Sequence, residues 1–390
     1  VEQAKWVLDH HLVRGINLFQ AMSYLSCKEG FRPYFCPPDL NLSPQWPHFS
    51  QLFAYANRMS YLLSVGTPTA SIALYYPTTS GWLGDFSADK AGLAVAQQLL
   101  EGQRDFDFVD DDSLHAALRL QSGALVNRSG QRYRAVIVPP VKAISEKALN
   151  QLERFAKAGG RVVFVGRLPE LVVGRTFLHA AKGPTQLPWA VLEPKEQLSP
   201  NVLARLPEPD CTVEAAHGGA ACPSVKYTHR RLADAEVYFL FHERKEPLET
   251  VAAFEGSGSP QCWDAVTGAT ARIEGWSRRG KHVCIPLRLE PFETKTIVLA
   301  GGTARPDKVA PTTYEKITEA QRLDGDWTFT LEGKERSGPL KTWSDYGSPG
   351  YSGSVLYRKQ FQYAGPAAAK DLYLDLGDVK YSAKVRLNGR

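Results

Sequence analysis

The chain has no apolar stretch long enough to cross a bilayer. Its longest uncharged apolar run is Ala135–Val141, against the roughly 20 residues a spanning helix requires. It lacks a surplus of one charge: 46 Lys+Arg face 41 Asp+Glu, and the net +5 is scattered, so no basic stripe points to nucleic acid. Cysteine is sparse. None of the six has C-x-x-C spacing, which argues against zinc and thioredoxin-like chemistry, and their density is too low for a disulfide scaffold. Cys27–Cys36 and Cys211–Cys222 are near enough in sequence to pair in an oxidising compartment, but buried free thiols are the favoured reading. No G-x-G-x-x-G follows a strand, Gly333-Lys334 lacks the rest of a Walker A motif, and no G-x-S-x-G elbow occurs. What is present is an ordinary globular composition, 43% hydrophobic and 22% charged over 390 residues. It excludes disordered, collagenous and coiled-coil classes and predicts two to three domains.

Residue 1 is Val, and Val1, Ala4, Leu8 and Leu12 fall on one helical face. The last residues alternate up to Leu387 and then reach Asn388-Gly389, the strongest short hairpin signal, without a return strand. The expectation is a fragment cut inside a domain at both ends, so a missing leader says nothing about localisation.

Residues 1–66 read as helix, strand (Gly15–Phe19), long loop (Ala21–Pro44) and helix, ended by Gly66-Thr67-Pro68. A structureless loop of about twenty residues tends to be functional. Residues 70–166 alternate strands (Ser71–Tyr76, Phe106–Val109, Ala135–Val138, Arg161–Val165) with helices (Lys90–Leu100, Ser113–Leu120, Ser145–Ala158). Continuously apolar strands are buried on both faces, which predicts a parallel, doubly wound sheet of at least four strands with helices on both sides. After about residue 185 short strands take over: Ser224–Thr228, Ala235–His242, Glu249–Phe254, Lys281–Leu287 and Thr294–Leu299. A linker, Gly302–Thr312, precedes a second β pattern at Trp327–Leu331, Ser354–Phe361, Asp371–Leu376 and Ala383–Leu387.

The acidic run Asp105, Asp107 and Asp110–Asp112 lacks the glycine and terminal glutamate of a calcium loop; Asp112-Ser113 reads as a helix cap. Asn127-Arg-Ser129 is a sequon of a kind that arises easily by chance. The region most suited to a ligand is Gly15–Phe49, because aromatic rings stack on sugar faces and polar side chains bond hydroxyls. The candidates are Asn17, Tyr24, Tyr34, Asp39, Asn41 and Trp46; the competing reading is that the aromatics only pack the loop. Glycoside hydrolysis needs two carboxylates. The N-terminal segment offers Glu2 and Asp9, on the polar side of the first helix, and Glu29 and Asp39 in the loop. None sits at a strand end, so the catalytic residues are expected before residue 1, with Glu29 and Asp39 as weak candidates.

Three stretches resemble the C-terminal half of glycoside hydrolase family 106, the α-L-rhamnosidases. They are Gly15-Ile-Asn-Leu-Phe19 through Ser23-Tyr24 to Trp46 and Tyr55–Gly66; Tyr227-Thr-His229-Arg230-Arg231 to Tyr238-Phe239 with Trp263-Asp264-Ala-Val-Thr-Gly268 and Pro291-Phe-Glu-Thr; and Tyr351-Ser-Gly353 to Tyr357, then Leu374-Asp-Leu-Gly377 and Val385-Arg-Leu-Asn388-Gly389. The last also resembles the sugar-binding sandwich of family 2 glycosidases. Met22 stands where family members often carry His. The resemblance implies a multidomain α/β plus β protein: the end of a (β/α)8 barrel (1–66), a flavodoxin-like domain (67–185), a small all-β domain (186–303) and the start of a jelly-roll, galactose-binding-like β-sandwich (304–390). It further implies an exported or periplasmic hydrolase of α-L-rhamnosides, working by acid/base hydrolysis with inversion on a carbohydrate substrate. No cofactor is expected in this part, with calcium an option in the missing catalytic part, and no nucleic-acid or membrane partner. A β-galactosidase-type barrel enzyme and a non-catalytic carbohydrate-binding scaffold are the alternatives. The triplet His229-Arg230-Arg231 is expected to brace the small β domain, with His229 and Arg231 on one strand face and Arg230 on the other.

Overall fold

A computed structural model describes residues 2–21, 43–215, 222–301, 321–363, 365, 374–380 and 382–389. The chain forms two compact units, Val1–Gln20 with Gln51–Thr312, and Ala21–Ser50 with Thr313–Arg390.

Helices α1 (Glu2–Leu12) and α2 (Trp46–Leu62) are followed by the short strand β1 (Thr67–Pro68). Gly15–Phe19, expected as a barrel strand, forms no strand. An extended segment becomes a strand only where a ladder partner takes its backbone groups, and no pairing joins this one among the described residues. Instead Leu12 and Val13 pack with Tyr55 and Met59 of α2 and with Leu63 just after it against Phe239 and Phe241, so the two helices have a buried face of their own.

The parallel sheet follows. In chain order come β2 (Ile72–Tyr75), α3 (Thr78–Trp82), α4 (Ser87–Glu101), β3 (Phe106–Val109), a small meander of β4 (Arg119–Gln121), β5 (Ala124–Val126) and β6 (Arg132–Tyr133), β7 (Ala135–Val138), β8 (Ala143–Ser145), α5 (Glu146–Lys157), β9 (Arg161–Val165), β10 (Leu171–Val173), β11 (Ala180–Lys182), β12 (Val191–Glu193) and α6 (Pro200–Leu203). The five-stranded sheet has the order β12-β9-β7-β2-β3 and every pairing in it is parallel. This is the flavodoxin-type order, with its switch point between β2 and β7. Alternate side chains feed two cores: Ile72, Leu74, Ala135, Ile137 and Val163 meet α4 and α6, while Ala73, Tyr75, Val136, Val138 and Phe164 meet α5. The sheet runs past the boundary expected at residue 185, because β12 is three residues long and carries too little periodicity to stand out. The helix expected at Ser113–Leu120 is a single π-turn, Ser113–Ala117, that gives way to β4.

Next come β13 (Cys211–Ala215), β14 (Val225–Arg231), β15 (Ala235–His242), β16 (Leu248–Glu255), β17 (Ser259–Trp263), β18 (Thr270–Arg272), β19 (Ser277–Arg279), β20 (His282–Leu289) and β21 (Thr294–Ala300). They form two antiparallel sheets, β1-β14-β15-β21-β17-β18 and β13-β16-β20-β19, enclosing a core that includes Tyr227, Tyr238, Phe254, Trp276, Ile285 and Ile297. Thr67–Pro68 pairs with Arg230–Arg231, so the sandwich borrows its edge strand from the far side of the parallel domain. Cys211, Cys222, Cys262 and Cys284 are free thiols, Cys211 and Cys284 buried; Cys27 and Cys36 lie outside the described residues.

In the second unit β22 (Trp327–Leu331), β23 (Lys334–Gly338) and β24 (Tyr357–Arg358) form the sheet β23-β22-β24. Glu332 (φ 50°) and Gly333 (φ 73°) make the two-residue hairpin loop. Residues 374–376 and 383–387, expected as strand, have no strand pairing. Asn388 and Gly389 still adopt φ 51° and 81°, the left-handed pair that a type I′ turn demands.

Candidate functional site

Of the residues expected to face substrate, Asn17 and Trp46 are described; Tyr24, Glu29, Tyr34, Asp39 and Asn41 lie outside the described residues. The Asn17 amide nitrogen donates to the Leu63 carbonyl (3.1 Å) and to Ser64 Oγ (3.0 Å). Its donors are thus used to pin residues 16–20 to the end of α2. Trp46 opens α2, half-buried, its ring 5.9 Å from Phe49.

Asp9 departs from expectation. Set on the polar side of α1 by its spacing, it is 1% exposed. Tyr55 donates to one of its carboxylate oxygens and Lys5 Nζ to the other at 2.7 Å. Lys5 also lies 4.6 Å above the Tyr55 ring. Burial raises the Asp9 carboxyl above its usual range, opposed by Lys5 and Tyr55. The polar side of α1 is covered because a second charged cluster, Glu243 with Arg14 (2.7 Å) and His10 (3.2 Å), holds the helix down.

The densest polar network centres on His229, 0% exposed. Its Nδ1 meets Asp210 Oδ2 at 2.6 Å and its Nε2 meets Glu236 Oε2 at 2.8 Å, while the ring stacks on Tyr238 at 3.8 Å. Register explains the set: His229 lies opposite Tyr238 and Arg231 opposite Glu236. Arg231 Nε donates to Glu236 at 2.7 Å, and Asp210 also accepts from Tyr227 Oη (2.7 Å) and Thr69 Oγ1 (2.9 Å). Burial alone would depress His229, but its bonds to Asp210 and Glu236 hold it above the usual histidine value. Burial likewise opposes the charge on Asp210 and Glu236, yet their bonds to His229 keep both below the usual carboxylate range. Arg230, on the opposite face, donates to the carbonyls of Ser64 (3.1 Å), Val65 (2.6 Å) and Gly66 (2.9 Å). The bracing contact of the triplet is therefore made by Arg230, while His229 organises the interior.

Two residues that sequence reasoning did not single out join the parallel domain to the sandwich. Gln103, 1% exposed with φ 54°, donates through its amide nitrogen to the carbonyls of Val213 and Cys222 (3.0 Å each) and accepts from Val213 N (2.7 Å). It behaves as an extra peptide group on the edge strand β13. Asp210 lies in the stretch Pro207-Glu-Pro-Asp210, which reads as plain loop. Asp105, reached by Thr228 Oγ1 at 3.3 Å, has its carboxyl pushed up to about 8 by burial and then by Asp107 and Asp210. In the acidic run it is Asp110, not Asp112, that caps Ser113–Ala117: its Oδ1 accepts from Ser113 N at 2.8 Å. Asp111 is buried and bonds Tyr75 Oη and Thr79 Oγ1, both at 2.8 Å.

At the switch point, where doubly wound sheets usually receive ligands, helix α3 after β2 is tied to strand β8 after β7. Ser80 Oγ donates to the Ala143 carbonyl (3.0 Å) and accepts from Ala143 N (2.9 Å). Among the described residues no group of three or more His, Cys, Asp or Glu side chains is arranged to hold a metal ion, and no helix is long and apolar enough to cross a membrane.

Comparison with known proteins meets this geometry at the fold. Residues 37–181 match the glycoside hydrolase family 106 model, described as alpha-L-rhamnosidase. The chain is glycoside hydrolase family 106-like. A rhamnosidase from Novosphingobium sp. PP1Y superposes with a TM-score of 0.62 at 19% identity, over 85% of this chain and 33% of that one; at that identity the likeness is one of fold. A curated relative from Formosa agariphila, named a putative beta-glucuronidase, is 22% identical over 316 residues, 76% of this chain and 25% of its own. Gan42B, a GH42 beta-galactosidase, reaches a TM-score of only 0.41 at 11% identity, over 67% of this chain and 44% of that one. The chain thus spans a quarter of the curated relative and a third of the solved rhamnosidase.

Proposed function

We propose that this chain serves in a glycoside hydrolase that removes terminal α-L-rhamnosyl residues from polysaccharides or glycosides. The observation that carries the reading is the family match at residues 37–181, which takes in α2 and the parallel domain up to β11. In this reading the helices and the sandwich form a rigid seat. Asn17, Tyr24, Asp39, Asn41 and Trp46 are the residues proposed to contact the sugar, Trp46 by stacking. The carboxylate pair that protonates the leaving oxygen and activates water is supplied outside the described residues, and the protein works in the periplasm or outside the cell.

The test is an assay of the protein encoded by the whole reading frame against aryl α-L-rhamnosides, aryl β-D-glucuronides and aryl β-galactosides. Preferential turnover of the rhamnoside is the expected result. The second reading, a β-glucuronidase, is favoured by the name of the Formosa relative, and preference for the glucuronide would establish it. Binding without turnover of any of the three would point to a carbohydrate-binding scaffold instead.

A further inference from the structure

Both ring nitrogens of His229 are engaged by carboxylates, Asp210 at 2.6 Å and Glu236 at 2.8 Å. A neutral imidazole has one N–H and satisfies one of them; the other carboxylate would then face a lone pair. With the ring 0% exposed and stacked on Tyr238, water cannot take the missing place. The arrangement is complete only when the ring carries both protons. The three residues come from different parts of the fold: Asp210 from the connector that enters β13 in one sheet, His229 and Glu236 from adjacent strands of the other.

We propose that Asp210–His229–Glu236 is a proton-dependent latch, which ties the connector between the parallel domain and the sandwich to the β14–β15 hairpin while His229 is an imidazolium and frees it when that proton is lost. The groups facing the latch support this direction. From β14, Tyr227 donates to Asp210 and Arg231 to Glu236; from the segment after β1, Thr69 donates to Asp210. From β15, Tyr238 donates to the Glu255 carbonyl of β16 at 2.6 Å. Cys211 adjoins Asp210, and Lys281 and Glu255 form an ion pair at 2.9 Å at the end of the same sheet. Asp105 faces Asp210 from the parallel domain, and since its carboxyl is pushed up to about 8 it stays neutral beside Asp210 until the alkaline side. Arg231 is held by Glu236, so the cation placed between the two latch carboxylates is His229 itself.

The sign follows from linkage. His229 is raised in the folded state, so its contribution is complete below the ordinary histidine value of about 6.5 and disappears as pH climbs through the folded value. Asp210 and Glu236 are lowered, so theirs is complete above ordinary carboxylate values and disappears as pH falls through the folded ones. The latch is therefore firm in mildly acidic to neutral solution and opens on the alkaline side.

The test uses this chain from about pH 5 to about pH 9. Nitrogen-15 NMR of the histidine rings is expected to show His229 doubly protonated at neutral pH. Amide exchange in residues 205–215, corrected for its intrinsic pH dependence, is expected to rise on the alkaline side. Glu236→Gln, which leaves His229 one anionic partner, should shift both changes to lower pH. A His229 ring that is singly protonated at about pH 6, or exchange in 205–215 that stays flat after correction, overturns the proposal; the NMR reading holds whether or not the variant folds.

Discussion

Gln103→Ala offers the sharpest check on how the two domains of the first unit are joined. The side chain makes three hydrogen bonds to the edge of β13, at 3.0, 3.0 and 2.7 Å. The carbonyl of Val213 keeps a partner after truncation, since Cys222 N donates to it at 2.8 Å. The Val213 N–H is the group left without this partner in the interior, and an orphaned buried donor costs about 1–3 kcal/mol. Two further lost bonds add about 1 kcal/mol each at most, for a total of roughly 1–5 kcal/mol. Gln103 also sits at φ 54°, where glycine escapes a steric cost of about 1 kcal/mol that alanine shares with glutamine. Gln103→Gly should therefore be less damaging than Gln103→Ala by about that amount. The readouts are urea unfolding followed by tryptophan fluorescence, to which the core residue Trp276 contributes, together with amide exchange at Val213. If Gln103→Ala lies within about 0.5 kcal/mol of the parent and Val213 stays protected, the side chain is not acting as a substitute strand and the reasoning fails.

Arg230→Ala removes three charge-assisted bonds to the carbonyls of residues 64–66 and should cost about 1–3 kcal/mol; faster proteolysis between α2 and β2 checks it, and an unchanged cleavage rate refutes it. Asp105→Asn should stabilise the chain in a pH-dependent way. A carboxyl pushed up to about 8 binds a proton in the folded state that the unfolded state has released above about 4, so the parent loses stability as pH rises through that interval. The variant's gain, a few kcal/mol at most, should appear in thermal melts near pH 8 and vanish near pH 4. Trp46→Ala in the protein from the whole reading frame should raise KM for an aryl α-L-rhamnoside roughly 3- to 10-fold, the worth of one stacking contact; unchanged kinetics would remove Trp46 from the substrate wall.

The parallel sheet was legible because its information is local. Ala135-Val-Ile-Val138 is buried on both faces and reads so without context, and the amphipathic run Glu146–Lys157 is capped by its own Ser145, whose side chain accepts from Ala148 N. The strands of the sandwich that carry continuous apolar runs, Ala235–His242 and Thr294–Ala300, were equally plain. The three-residue β12 was missed because it offers less than one full alternation, and Ser259–Trp263 because its second residue is a proline. Asp9 and Gly15–Phe19 were misread for a different reason: periodicity says which face a residue takes, but not what covers that face. Only the tertiary structure brought Tyr55, 46 residues away, onto Asp9, and Asp210 and Glu236 onto the two sides of His229. The sequence by itself determined which segments bury apolar side chains. Which buried charges meet was decided by strand register and by connectors from other domains, because a charge leaves water only where a partner from elsewhere in the fold is already in place.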